Sequence, residues 1–194
     1  MKGLMQPTQL TLVHLFERAE RYSRNKRIIT ATATGKLTTT YGDWADRTRL
    51  LGGVLDILKI SKYGRVATLA WNSARHLELY FAAPCSSRVL HTLNFRLFPE
   101  QVTYIVNHAE DEVIFCDTSL WAILEPLMPT FTTVKHLVFM NDGKGEVPTS
   151  VPGVQVHEYE SLLQQAQAVE WNVADENQAA SMCYTSGTTG NPKG

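Results

Sequence analysis

Val66-Ala-Thr-Leu-Ala-Trp71, Val89-Leu-His-Thr-Leu93 and Val113-Ile-Phe-Cys116 are apolar runs of strand length, separated by segments long enough for helices. The first connecting segment carries His76, Leu77, Tyr80 and Phe81 at helical spacing. The second starts at Pro99, a residue suited to a first helical turn, and runs to Ala109. Strands that are apolar throughout are what a sheet buried on both faces requires. This is βαβ grammar, and it predicts an α/β fold: a mostly parallel, helix-covered sheet over residues 65–185.

The same pattern extends in both directions. Downstream, Ser119 to Met128 is a helix candidate and Leu137 to Met140 a strand. Residues 141–153, rich in Gly, Pro and polar residues, are the most loop-like stretch. Ser161 to Ala168 suits a short helix, and Ala179 to Thr185 a strand that runs into a glycine-rich segment. Upstream, residues 11–60 predict an amphipathic helix from Thr11 to Tyr22, then a hairpin of Ile28 to Ala33 and Leu37 to Tyr41 turning at Gly35-Lys36. A second helix follows, capped by Asp43, with Trp44, Leu51, Leu55 and Leu58 on one stripe. No internal repeat is present.

With 194 residues, 44% of them apolar, 19% charged and a formal net charge of −1, the chain has the composition of an ordinary globular protein. A chain this long buries roughly 70% of the surface its unfolded form exposes. No basic cluster interleaves with aromatics, so nothing supplies the row of phosphate contacts that nucleic-acid binding needs. No apolar run is long enough for a signal segment or a membrane span. Cys85, Cys116 and Cys183 are isolated and flanked by apolar residues, which predicts reduced, buried thiols and a cytoplasmic location. The six histidines form neither an HExxH nor a Cys/His cluster, so no zinc site is expected.

Chemistry concentrates in Tyr184-Thr-Ser-Gly-Thr-Thr-Gly-Asn-Pro-Lys-Gly194. Gly187, Gly190 and Gly194 leave backbone N–H groups free to converge on an anion. Thr185, Ser186, Thr188 and Thr189 add hydroxyl donors, and Lys193 adds a mobile positive charge. Together they suit a polyphosphate. Pro192 removes one N–H and biases Asn191 toward extended geometry, which holds the end of the loop open. The Walker pattern fails because Lys193 follows Pro192 and precedes Gly194. The dinucleotide pattern GxGxxG fails because the stretch holds no glycine pair with the G-x-G spacing. In open α/β sheets ligands bind beyond the carboxyl ends of strands, which is where this loop is expected to emerge.

These residues resemble the signature loop of the adenylate-forming (AMP-binding) superfamily. Val66-Ala-Thr-Leu-Ala-Trp-Asn72, His76-Leu-Glu-Leu-Tyr-Phe81, Val89-Leu-His-Thr-Leu-Asn94, Leu97-Phe-Pro-Glu-Gln101 and Tyr104-Ile-Val-Asn-His-Ala109 are similar to its fatty-acyl-CoA synthetase branch. The resemblance spans about residues 10 to 194 and implies the first part of the large N-terminal domain of an acid–thiol ligase. In such an enzyme a medium- or long-chain fatty acid attacks ATP to give an acyl-adenylate and pyrophosphate. Coenzyme A then displaces AMP. By match of position Thr185, Ser186, Gly187, Thr188, Thr189, Gly190 and Lys193 would hold the β- and γ-phosphates, with Lys193 catalytic and Thr185 a ligand for Mg²⁺. The family's adenine and ribose segments, hinge and C-terminal domain are absent from these residues, so the chain alone is expected to be inactive. The competing expectation is a non-catalytic nucleotide- or phosphate-binding module, or a truncated relic.

One local departure stands out. Ser86-Ser87-Arg88 places a long cation where the family has small residues entering a strand, and burying it would cost several kcal/mol unless it is paired. His108 is expected to end a helix, with Glu110, Asp111 and Glu112 forming a solvated turn. His91 and Asn94 are expected to serve strand packing.

Overall fold

The computed structural model describes residues 3–4, 8–32, 35–173, 175–185 and 192–194. An amphipathic helix α1 (Leu12–Tyr22) is followed by a hairpin of β1 (Arg27–Thr32) and β2 (Gly35–Thr40), which leads directly into α2 (Tyr41–Ile57). Strand β3 (Arg65–Leu69), α3 (Ala74–Cys85), β4 (Val89–Thr92), α4 (Pro99–Ala109) and β5 (Asp111–Asp117) then alternate. The short α5 (Trp121–Leu124), β6 (His136–Met140), β7 (Gln155–Glu158), α6 (Tyr159–Gln165) and β8 (Ser181–Met182) complete the chain.

The six strands from β3 to β8 form one sheet in the order β7-β6-β5-β3-β4-β8, and every pairing in it is parallel. The chain passes from β3 to β4 on one side and then to β5 on the other, so the order reverses at β3. Alternate side chains feed two cores. Val66, Val113, Phe115, Val138 and Met140 pack under α2, α3 and α6. Ala67, Leu69, Ile114, Cys116, Leu137 and Phe139 pack under α4 and α5. A third cluster joins Phe16 of α1 to Trp44, Phe81 and Trp171, with the Phe16 and Trp44 rings tilted at 46° and a centroid separation of 5.0 Å. Burying side chains of this size contributes about 2–3 kcal/mol each.

Several expectations need correction. Asp43 is not the cap of α2. Thr40 is, accepting from the Asp43 N–H at 3.1 Å, while the Asp43 carboxylate accepts the Thr40 N–H at 3.1 Å. That reciprocal pair satisfies two otherwise orphaned donors. The helix expected over Ser119 to Met128 is broken into a 3₁₀ turn, the four-residue α5 and a second 3₁₀ stretch (Glu125–Thr130), because Pro126 and Pro129 cannot continue an α-helix. Strand β7 had no sequence signal, and β8 is two residues rather than the whole of Ala179 to Thr185. Asp111 is not in a solvated turn. It starts β5 fully buried, while Glu110 takes the left-handed cap at φ 55° and binds Arg65 at 2.6 Å. Cys183 is exposed, whereas Cys85 and Cys116 are buried as expected.

Arg88 is accommodated. Its side chain is only 12% exposed, but its guanidinium bonds Asp56 at 2.6 Å and the carbonyls of Ile60 and Ser86, each at 3.0 Å. The cation is thus paired as well as hydrogen-bonded.

The connection to β8 crosses the molecule. Residues 166–173 leave α6 beside one sheet edge and lie across α2, where Gly52 and Gly53 allow the approach. An ideal Cβ on Gly53 would fall 2.1 Å from the Gln167 carbonyl oxygen, and one on Gly52 would fall 2.5 Å from Val169. The Val169 N–H donates to the Arg49 carbonyl at 3.2 Å, and Trp171 meets Phe16 edge on at 5.2 Å. The amino-terminal residues fasten the far end of this strap. The Leu10 N–H donates to Glu176 Oε2 at 2.9 Å, and the Glu176 N–H donates to Gln9 Oε1 at 3.2 Å.

Candidate phosphate-binding site

Strand β8 pairs with β4 through Leu90 with Ser181 and His91 with Met182, running parallel to the other strands. Its carboxyl end therefore lies on the same sheet edge as theirs, and Cys183, Tyr184 and Thr185 leave from that edge. Thr185 and Lys193 then face each other in an antiparallel bridge. The Thr185 N–H donates to the Lys193 carbonyl at 2.9 Å, and the Lys193 N–H donates back at 3.2 Å. This exchange brings the two ends of the glycine-rich stretch together. Ser186, Gly187, Thr188, Thr189 and Gly190 lie outside the described residues.

Thr185 and Lys193 are exposed at the neck, while Pro192 beside them is buried. Among the described residues, Lys193 makes no ion pair and no acid contacts the neck. The Thr185 hydroxyl has only a long contact to the Lys193 carbonyl, at 3.5 Å, so its lone pairs meet no donor there. These donor types fit an anionic polyphosphate, and the Thr185 hydroxyl oxygen could serve as one ligand of a magnesium ion held mostly by phosphate and water oxygens. Among the described residues no group of three acidic, His or Cys side chains could hold a metal.

A socket supports the neck. The Tyr184 ring lies 5.2 Å from that of His91 and 5.8 Å from that of His108, and its hydroxyl is 2.6 Å from His108 Nδ1. His91, fully buried in β4, contacts both carboxylate oxygens of Asp111 through Nδ1, at 2.8 and 2.9 Å. Burial pushes the Asp111 carboxyl above its usual range, opposed by the bond from His91. His91 therefore does more than the strand packing expected of it. Nothing in the sequence signalled that Asp111, twenty residues on, would be its partner.

A second concavity of about 1130 Å³ opens between the hairpin and the carboxyl ends of β3, β5 and β6, at the point where strand order reverses. Its acids and arginines are already engaged. Arg47 bonds Glu78 at 2.7 Å and Glu160 at 2.8 Å, and Arg75 bonds Glu160 at 3.0 Å. Burial works against the Arg47 charge, yet the bonds to Glu160 and Glu78 hold the guanidinium above its ordinary range. Asp117 accepts the Trp71 N–H at 2.7 Å, and burial raises its carboxyl to about 6. Asp142 accepts from Thr118 at 2.8 Å and from Ser119. Mutual satisfaction makes this a rigid wall beside the sheet edge from which the loop emerges.

Among the described residues no helix is long and apolar enough to cross a membrane. The family model described as AMP-binding enzyme matches residues 15–194. The chain is 40% identical to a 3-methylmercaptopropionyl-CoA ligase of Ruegeria lacuscaerulensis, with all of the chain and 36% of the relative aligned. It is 38% identical to a medium-chain-fatty-acid–CoA ligase of Ectopseudomonas oleovorans, again over all of the chain and 36% of the relative. Among solved structures, the anthranilate CoA ligase AuaEII in complex with anthranoyl-AMP superposes with a TM-score of 0.80 at 20% identity. That match covers 99% of this chain and 35% of the other. The chain thus spans little more than a third of the length of the curated relatives it matches. Over that span both sequence and fold agree, and the chain belongs to the AMP-binding enzyme family.

Proposed function

We propose that this chain supplies the phosphate-binding part of an acyl-CoA ligase, which joins a carboxylic acid to coenzyme A at the expense of ATP. The acid's oxygen attacks the α-phosphorus of ATP, pyrophosphate leaves, and the thiol of coenzyme A then displaces AMP to form a thioester. The observation that carries this reading is the Thr185–Lys193 neck: the two ends of a Gly/Thr-rich stretch pair at the carboxyl edge of a parallel sheet, and the lysine there makes no ion pair among the described residues.

Thr185, Ser186, Gly187, Thr188, Thr189 and Gly190 hold the β- and γ-phosphates in this proposal, and the Lys193 ammonium offsets charge that builds on the leaving pyrophosphate. The Thr185 hydroxyl is the chain's own ligand for Mg²⁺, which when bound neutralises phosphate charge. Positioning and charge stabilisation supply most of the acceleration in such transfers. The preferred acid is a medium- or long-chain fatty acid, supported by the names of two relatives, the medium-chain ligase and a long-chain-fatty-acid–CoA ligase of Thermus thermophilus that is 39% identical. A cytoplasmic setting accords with three unpaired cysteines.

The test is carboxylate-dependent ATP–pyrophosphate exchange by the full-length protein, with acids of graded chain length. Lys193→Ala is expected to slow exchange about 10²-fold or more, the scale of losing one preorganised charge partner. Unchanged exchange in that variant removes Lys193 from the mechanism. Tight ATP binding with no exchange for any acid favours a non-catalytic binding module instead.

A further inference from the structure

We infer that Tyr184 is a positioning residue that sets the mouth of the phosphate loop, with His91 and His108 as its socket. The inference rests on the phosphate-binding role proposed for the loop. Tyr184 immediately precedes the neck and Gly194 immediately follows it, and both meet at one aromatic ring. An ideal Cβ on Gly194 would lie 2.8 Å from Tyr184 Cε2 and 2.9 Å from its Cδ2 and Cζ, so the glycine backbone lies close against the ring. Any side chain at position 194 would push the ring or open the bridge.

The socket is held on two further sides. His91 is fixed by its two contacts to Asp111, both residues being 0% exposed, and its ring is tilted 51° to that of Tyr184. Among the described residues the Nε2 of His91 is buried without a hydrogen-bond partner, so the hydrogen bonds that orient the ring come from its Asp111 side. His108 stacks on Tyr104 at 5.1 Å and 23°, which orients Nδ1 toward the Tyr184 hydroxyl. The root of the loop is thereby referred to β4, β5 and α4 together. A tyrosine that merely covered apolar surface would need neither the 2.6 Å hydroxyl contact, made at an exposed histidine, nor a glycine against its ring.

Preorganised donors bind an anion more tightly than donors that must be ordered on binding. The consequence is readable as affinity without loss of fold. Binding of inorganic pyrophosphate, and separately of MgATP, is measured by calorimetry on the full-length protein, with melting temperature recorded in parallel. Tyr184→Phe keeps the ring and removes the hydroxyl. It is expected to weaken pyrophosphate binding about fivefold at an unchanged melting temperature, the scale of one hydrogen bond. His108→Ala is expected to do the same, and the double variant to be no weaker than either single one, because both remove the same contact. His108 is exposed, so its variant serves even if Tyr184→Phe disturbs the fold.

Wild-type affinity in both single variants overturns the inference, and so does a loss that simply tracks a lowered melting temperature. Additive losses in the double variant overturn the shared contact. A wild-type protein that binds neither pyrophosphate nor MgATP sinks the phosphate role itself. That outcome is distinct from one in which the wild type binds and the variants bind equally well.

Discussion

Replacing Gly53 with alanine sets two effects of opposite sign against each other. Gly53 lies inside the seventeen-residue helix α2, where alanine is intrinsically favoured by about 1 kcal/mol. If helix propensity decided the outcome, the variant would be more stable. The added Cβ, however, would stand 2.1 Å from the Gln167 carbonyl oxygen, a backbone atom that no rotamer change can remove. The strap must retreat by roughly 1 Å or more to restore an ordinary contact. Retreat strains the bond from the Val169 N–H to the Arg49 carbonyl and that from Arg49 to the Val169 carbonyl, at 3.2 and 3.1 Å. It also draws Trp171 off Phe16. Overpacking of this kind costs about 1–3 kcal/mol, and each lost bond costs about 1 kcal/mol. A net destabilisation of about 1–3 kcal/mol is expected after helix propensity is subtracted. Equilibrium urea unfolding measures it, and near-ultraviolet circular dichroism reports Trp171. A variant as stable as the parent, or more so, would refute the reasoning.

Asp117 is 2% exposed and its carboxyl is raised to about 6 from an ordinary value of 3.8. A carboxyl raised by folding contributes stability that is complete below the unfolded value and is lost as pH rises through the folded one. The wild type should therefore lose about 2–3 kcal/mol between pH 4 and pH 7 through this group, and Asp117→Asn should flatten that slope in urea titrations. Arg88→Ala should cost about 1–2 kcal/mol, measured as a drop in melting temperature, because the Ile60 and Ser86 carbonyls lose their donor. An unchanged melting temperature would mean that water replaces the guanidinium without penalty.

The βαβ core was legible because Val66 to Leu69, Val113 to Cys116 and Leu137 to Met140 are buried on both faces and must be apolar throughout. Strand β7 was not, since Gln155-Val-His-Glu158 is a half-exposed edge whose only strand credential is its pairing with β6. The prolines at 126 and 129 were in plain view and should have broken the helix assigned over Ser119 to Met128. At the site, the loop was read from order and residue type alone, which say what it can bind but not what holds it. Its support comes from His91, His108 and Asp111, whose meeting depends on the registers of β4 and β5 against β3 and of β8 against β4. Asp111 in particular looked solvated because it stands between two glutamates, and only its position at the first residue of an inner strand buries it.

The strap over α2 has a kinetic consequence. Gln9 and Leu10 are synthesised some 166 positions before their partner Glu176. Trp171 likewise needs Phe16 and α2 already docked before it has a surface to close on. Contacts of such sequence separation form late, because the intervening chain must first be ordered. Strand β8, and with it the Thr185–Lys193 neck, is therefore expected to be the last part of the sheet to assemble. Amide hydrogen exchange pulsed during refolding should find β3, β5 and β6 protected before Thr185 and Lys193. The polyphosphate site proposed for this neck would, built in that order, exist only once the amino-terminal layer is in place, and partly folded chains would then have nothing with which to sequester ATP.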